Sequence, residues 1–228
     1  MSGTHWLDQL DVAGLPTATL KSSTEELIRQ SLLDGDMKPG EIYSANALAK
    51  RLGTSNSPVR EAMMSLTHRG LLELVRNRGF RVVEMTPEDR REVYTLRELI
   101  EVEAVRRLAQ RGVPQEEGQK LHQLAVNTLK TLTDSSVEDL QPYLEADDTF
   151  HSYMVGLLGN RRLKDFVETL RDQSRVNGTY FFLPEQGLLI PSAQEHIDMA
   201  TAIVERDDDR AAALMLNHLA YAKPDASH

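Results

Sequence analysis

The 228-residue chain carries 35 Asp+Glu against 26 Lys+Arg, a net charge of −9, and no cysteine. Disulfides and thiolate metal sites are thereby excluded, and no apolar run approaches the ~18 residues of a membrane span. The N-terminus also lacks the basic flank and apolar run of a secretory signal, so the expectation is a soluble, cytoplasmic protein, long enough for two domains.

The acidic total conceals a division. Residues 19–85 sum to +2 and the remainder to −11; residues 50–81 alone hold seven basic side chains against two acidic ones. Local charge decides whether a surface displaces counterions from phosphate. The basic segment therefore suits nucleic acid, and the acidic remainder suits a domain held away from it.

Residues 1–18, with Gly3, Gly14 and Pro16, predict a loose arm carrying Trp6 and Leu7. A first helix follows from about Leu20 to Leu33, and the Pro39-Gly40 turn leads to a short strand at Glu41–Tyr43. Residues 44–70, SANALAKRLGTSNSPVREAMMSLTHRG, read as two short helices. Ser44 caps the first, and Gly53 supplies the left-handed residue that closes it. Thr54, Ser55 and Ser57 offer caps to the second, with Pro58 in its first turn. Two helices joined by a short Gly-containing turn form a helix-turn-helix, whose second helix enters the DNA major groove with its first turn leading. Residues 71–83, LLELVRNRGFRVV, predict two strands around an Arg76-Asn77-Arg78-Gly79 turn in which Gly79 takes a positive φ. Residues 19–85 are thus expected to form a winged helix-turn-helix. Its candidate DNA contacts are Asn46, Lys50 and Arg51 on the first helix of the motif. Ser55, Asn56, Ser57 and Arg60 follow at the start of the second, and Arg76, Arg78 and Gly79 form the wing. Arg60 is the strongest candidate for a base contact.

Thr86-Pro87-Glu88-Asp89 opens a long helix to about Arg111, with a capping hydroxyl, a proline and two acids where the helix dipole favours them. Its apolar stripe is Val93, Leu96, Ile100, Ala104 and Leu108. Further helices are expected at about 114–132 and 136–158, then one carrying Leu163, Phe166, Val167 and Leu170. The last two are a helix to Glu205 opened by a Ser192–Glu195 capping box, and one from Asp207–Asp209 to about Ala222. Residues 177–191 form a mixed connection, and 224–228 a tail. Residues 86–223 therefore predict an all-α bundle of six helices, or seven if a short one lies within 177–191. The fold class is mainly α.

In the helix from Leu140 to Leu158, Asp147 and His151 share the stripe of Leu140, Leu144, Met154 and Leu158, and so project inward. His196 falls with Ala200 and Ile203, and His218 with Ala211, Leu214 and Met215. Four polar side chains turned into a core each carry a desolvation cost unless paired. A shared divalent metal removes that cost, since neutral imidazole and carboxylate are its natural ligands. Separate core histidines, each bonded to a backbone carbonyl, would satisfy the same pattern.

The N-terminal part resembles the DNA-binding module of the GntR family of bacterial transcription regulators. The matching residues are Pro39-Gly40, the LAKRLG run (Leu48 to Gly53), SPVREAM (Ser57 to Met63) and RGLL (Arg69 to Leu72). Residues 86–223 resemble the FCD effector-binding domain of the FadR subfamily, through TLRELIEVEA (Thr95 to Ala104), DDTFH (Asp147 to His151), Gly159-Asn160, EHIDMATAI (Glu195 to Ile203) and NHL (Asn217 to Leu219). Six helices would point to the VanR-like branch. The resemblance implies a metal held by Asp147, His151, His196 and His218, with Zn²⁺, Ni²⁺ or Mn²⁺ as candidates. It also implies a basic residue near the start of the bundle that meets an effector carboxylate; Arg97 is the candidate, with Arg175 behind it, although an ion pair with Glu101 explains Arg97 equally well. One departure matters. Asn56-Ser57 stands where the family commonly has Arg-Thr, and an Asn amide suits adenine better than guanine.

The expected function is a dimeric transcription factor on a palindromic double-stranded operator, responsive to a small organic acid bound near the metal. The alternative is a metal-dependent hydrolase or decarboxylase of small organic acids. Against it, the chain has no HExxH, and Glu195, the one general-base candidate, is explained by its capping box. A DNA-bound architectural protein would leave the inward quartet without a purpose.

Overall fold

The computed structural model describes residues 17–133 and 137–223. The expected arm up to residue 16, the helix start at Ser136 and the tail 224–228 lie outside the described residues. The chain divides into two compact units. One ends at Met85 and takes in Arg175–Asn177; the other comprises Thr86–Ser174 and the chain from Gly178 onward.

The first unit contains α1 (Thr17–Leu33), β1 (Ile42–Tyr43), α2 (Ala45–Arg51), α3 (Asn56–His68), β2 (Leu72–Val75) and β3 (Gly79–Val82). Thr17 and Ala18, read as arm, begin α1. The strands form an antiparallel sheet in the order β1-β3-β2, with Leu74 opposite Phe80 and Tyr43 opposite Phe80 on the other side. Ile28, Leu32, Leu48, Val59, Met63, Leu66 and Phe80 build one core, and α1 packs along α3. Ser44 caps α2 by accepting from the Ala47 N–H, and Gly53 has φ +62°. In the hairpin Gly79 takes the expected positive φ, +132°, and Asn77 is also left-handed at φ +61°. Gly79 is required for a further reason: a Cβ there would lie 2.4 Å from the Tyr43 carbonyl oxygen, so only glycine lets β1 pass this close.

The second unit contains α4 (Pro87–Arg111), α5 (Gln115–Lys130), α6 (Leu140–Gly156), α7 (Arg161–Val176), α8 (Leu189–Glu205) and α9 (Asp208–Leu219), with α4 against α9 and α8, and α5 against α8 and α6. Six α-helices and no strand occur here among the described residues, and residues 178–187 form turns. The capping box of Thr86 and Asp89 is formed at the start of α4. A core of Val105, Leu108, Leu121, Phe150, Met199, Ile203 and Met215 fills one part of the bundle.

Three expectations require correction. The buried face of α4 runs through Val93, Arg97, Glu101, Ala104, Val105 and Leu108, while Leu96 is 39 % exposed. The expected stripe holds at Val93, Ala104 and Leu108; only in the middle do Arg97 and Glu101 take the buried face in place of Leu96 and Ile100, because that section faces a polar centre. Phe166 is exposed, and α7 instead buries Val167, Leu170 and Arg171. The Ser192–Glu195 capping box does not form, since α8 begins at Leu189. Ser192 lies inside the helix, where its hydroxyl meets the buried Tyr143 hydroxyl at 2.6 Å, and Glu195 is committed to α9.

Candidate functional site

The polar surface of the first unit is organised by α3 and the wing. A groove of about 570 Å³ is lined by Ser44, Asn46, Asn56 and Arg60 on one side and by Arg76, Asn77, Arg78 and Gly79 on the other. Six of the residues expected to touch DNA therefore border a single groove: Asn46, Asn56, Arg60, Arg76, Arg78 and Gly79. Lys50, Arg51, Ser55 and Ser57 are exposed but lie outside its lining. The Ser57 hydroxyl donates to Glu61 at 3.1 Å. Arg60 also borders a second hollow with Lys21, Ser57 and His68, and its guanidinium stands 5.9 Å from the Phe80 ring centroid. It thus stands between two depressions. Arg60, Arg76 and Arg78 are exposed cations around the leading end of a 13-residue helix, whose dipole also attracts phosphate.

The second unit gathers its polar cluster in its interior. Asp147 and His151 sit one turn apart on α6, His196 on α8 and His218 on α9, and all four are buried. The three Nε2 atoms form a triangle with every side 3.3 Å. Asp147 Oδ1 lies 3.5, 3.1 and 3.8 Å from the Nε2 atoms of His151, His196 and His218.

The surrounding side chains dictate which way the rings present themselves. His196 Nδ1 is 3.1 Å from the Thr128 hydroxyl, which donates its own proton to the Ala125 carbonyl and so accepts from the ring. His218 Nδ1 donates to Glu195 Oε2 at 3.1 Å, and Glu195 also accepts from Asn217 and Tyr221. Both rings therefore keep their proton on Nδ1 and turn an Nε2 lone pair to the centre. His151 Nδ1 has no hydrogen-bond partner and lies 3.7 Å from Glu101 Oε2. Phe150 and Tyr143 wall the His196 ring.

Charges complete the centre. Arg171 on α7 donates through Nη2 to Asp147 and stands 3.5 Å from Glu101. Glu101 pairs with Arg97 at 2.6 Å, and Arg97 also bonds the Tyr180 hydroxyl. Burial would raise the Asp147 and Glu101 carboxyls. The arginines reverse this, Arg171 chiefly for Asp147 and Arg97 for Glu101, and hold both below the usual carboxylate range. Burial, aided by Arg171, pushes the His151 imidazolium well below its ordinary value; burial and the neighbouring His196 do the same for His218. An ionised carboxylate among buried, neutral imidazoles is a donor set that fits a divalent cation.

Arg97 takes the ion-pair position with Glu101, and Arg175 is buried but groups with the N-terminal unit. Arg171, Thr128 and the role of Glu195 were missed in the sequence. Signals existed for two of them: Thr128 lies on the inward stripe of α5, and Arg171 stands four residues after the buried Val167. All six helices send a side chain to this centre.

Comparison with known proteins identifies both domains. Residues 20–82 match the model of the bacterial regulatory proteins, gntR family, and residues 92–221 match the FCD domain. The Nta operon transcriptional regulator of Aminobacter aminovorans is 29 % identical over 184 residues, 80 % of this chain and 82 % of that protein. The HTH-type transcriptional regulator YdhC of Bacillus subtilis (strain 168) is 32 % identical over 145 residues, a stretch covering 64 % of this chain and 63 % of YdhC. Among solved structures, E. coli McbR/YncC has the same fold, with a TM-score of 0.75 at 21 % identity over 88 % of this chain and 93 % of its own. The described helices contain none long and apolar enough to cross a membrane. The chain belongs to the GntR family of bacterial regulatory proteins, and is a transcriptional regulator with a GntR DNA-binding domain followed by an FCD domain.

Proposed function

We propose that this regulator acts in the cytoplasm as a homodimer on a palindromic operator, and that a small carboxylate bound beside a divalent ion in the FCD domain sets its affinity for DNA. The observation carrying the effector half is the convergence of three imidazole Nε2 atoms and one carboxylate oxygen within 4.8 Å of one another. Lone pairs facing each other in a dry interior repel, and a cation turns that repulsion into coordination.

The spacing favours Zn²⁺. The six separations average ~3.4 Å, and a regular tetrahedron of that edge puts its corners about 2.1 Å from the centre, the length of a Zn–N or Zn–O bond. An octahedral Ni²⁺ or Mn²⁺ at that bond length would set adjacent ligands ~3.0 Å apart and opposed ones ~4.2 Å apart. Zinc also admits a fifth ligand, so a carboxylate or water can join the four protein atoms. Because the four ligand side chains come from three helices and the other three also send supports, a ligand that alters the centre can shift the whole bundle.

Binding rather than catalysis is supported by Glu195, whose carboxylate is occupied by His218, Asn217 and Tyr221. Dimeric binding follows from economy of contact: one short recognition helix reads few base pairs, and two-fold pairing supplies the rest. Selection from a random duplex library should return an inverted repeat whose occupancy by the protein changes on adding metal and small carboxylates together. Recovery of single, unpaired half-sites bound by monomer would contradict the dimer. Occupancy indifferent to metal and acids would contradict the effector.

A further inference from the structure

Two of the three inward histidines have their rings fixed from behind, and the third does not. His196 Nδ1 faces the Thr128 hydroxyl and His218 Nδ1 faces Glu195, each at 3.1 Å. His151 Nδ1 is buried without a hydrogen-bond partner, and the group opposite it is Glu101 Oε2 at 3.7 Å. An imidazole whose Nε2 lone pair serves a cation carries its proton on Nδ1, and a buried N–H of that kind needs an acceptor.

Glu101, wholly buried on α4, has an oxygen to offer. Its Oε1 accepts from Arg97 Nε at 2.6 Å. To Oε2 the described residues present Arg171 Nη1 at 3.5 Å and His151 Nδ1 at 3.7 Å, both longer than a good hydrogen bond. An ion pair with Arg97 therefore accounts for one oxygen of this carboxylate and leaves the other loosely held in a dry interior. Asp147 is already committed elsewhere. It turns Oδ1 to the three Nε2 atoms and Oδ2 to Arg171.

We infer that Glu101 is the positioning residue for His151, its Oε2 accepting the Nδ1 proton of the metal-bound ring, an assignment that rests on the metal reading above. Each of the three imidazoles then has its own acceptor behind it: a hydroxyl from α5, a carboxylate from α8 and a carboxylate from α4. A carboxylate in that place fixes the tautomer and makes the ring a better donor to a cation. Arg97 holds Oε1 and so aims Oε2 at His151. The middle of α4 accordingly gives its inner face to charge where Leu96 and Ile100 would otherwise pack.

Glu101→Gln and Arg97→Gln break the same buried pair from its two ends, so a purely structural role for Glu101 predicts equal effects of both on Zn²⁺ binding. Competition of the full-length protein with a chromophoric chelator measures that affinity. It should fall about 10–100-fold in Glu101→Gln and much less, roughly threefold at most, in Arg97→Gln. Nitrogen-15 histidine spectra of the zinc-loaded wild type read the ring directly. His151 should carry a slowly exchanging proton on Nδ1, and in Glu101→Gln that resonance should shift while those of His196 and His218 stay. Equal losses in the two variants, or unchanged affinity in Glu101→Gln, would overturn the assignment. A His151 Nδ1 without a proton in the zinc-loaded wild type would overturn it too, even where a variant fails to fold. Wild type that binds no Zn²⁺ would overturn the metal reading itself, and this assignment with it.

Discussion

The two units solve opposite problems in their interiors. Among the described residues up to Met85, the buried polar side chains are Thr24 and Ser31, around an otherwise apolar core of Ile28, Leu32, Met63, Leu66 and Phe80. The helical unit instead buries Arg97, Glu101, Asp147, His151, Arg171, His196 and His218. A domain that works at its surface needs its core only to hold shape, so its DNA contacts can vary without touching stability. A domain that binds an ion in its interior would have no such separation: the side chains that hold the ion would also be its core, and the bound ion would hold it together.

The largest effects should therefore appear where interior and function coincide. Asp147→Ala removes one partner of the buried pair with Arg171 and should cost about 3–5 kcal/mol, together with loss of the metal. Leu66→Ala, at the heart of the winged core, should cost a comparable ~2–5 kcal/mol. Denaturation with metal analysis separates the two, since Leu66→Ala should leave the metal content per chain unchanged. If it too lost the ion, the two interiors would not be independent.

Arg60→Ala sharpens the contrast from the other side. An exposed side chain on the ridge of α3 should leave the melting temperature unchanged while weakening the operator by ~1–3 kcal/mol per half-site, as read by fluorescence anisotropy. Unchanged affinity at moderate salt would remove α3 from the base-reading position.

Much of this organisation was legible in the sequence, for identifiable reasons. The helix-turn-helix and wing depend on local signals, Ser44, Gly53 and Gly79, that act within a few residues. The convergence of Asp147, His151, His196 and His218 was legible because helical periodicity places all four on inward stripes. The supporting side chains were harder to see. Glu195 suggested a cap only because a serine stood three residues before it, but the helix starts earlier, at Leu189. Arg171 was passed over because a charge is normally assigned to solvent, and its burial follows from carboxylates on two other helices, α4 and α6. On α4 the apolar stripe held at both ends but not in the middle, where Arg97 and Glu101 lie inside in place of Leu96 and Ile100. Tertiary charge pairing outweighed local hydrophobicity there.

Acidity should separate the units without any mutation. Buried His151 and His218 resist protonation in the native state, whereas unfolded histidines take up protons near pH 6.5. The unfolded state then binds more protons, so stability of the helical unit should fall as pH drops below about 6.5 in metal-free protein. Denaturant titrations from pH 7.5 to 5.5 would show this, and a flat profile would contradict the protonation states. The smallest effect belongs to the wing: Arg76→Ala or Arg78→Ala should weaken all DNA similarly and lower the slope of log affinity against log salt by about one unit.

The central claim is that the buried quartet holds an ion, and metal analysis of chelator-free preparations tests it most directly. Wild type should contain about one divalent ion per chain, and His196→Ala far less, since four-ligand sites of this kind bind metal strongly. Stripping the ion should lower the wild-type melting temperature, and Zn²⁺ should restore it. A stripped protein with unchanged melting temperature that takes up no Zn²⁺ would make Asp147, His151, His196 and His218 ordinary core residues.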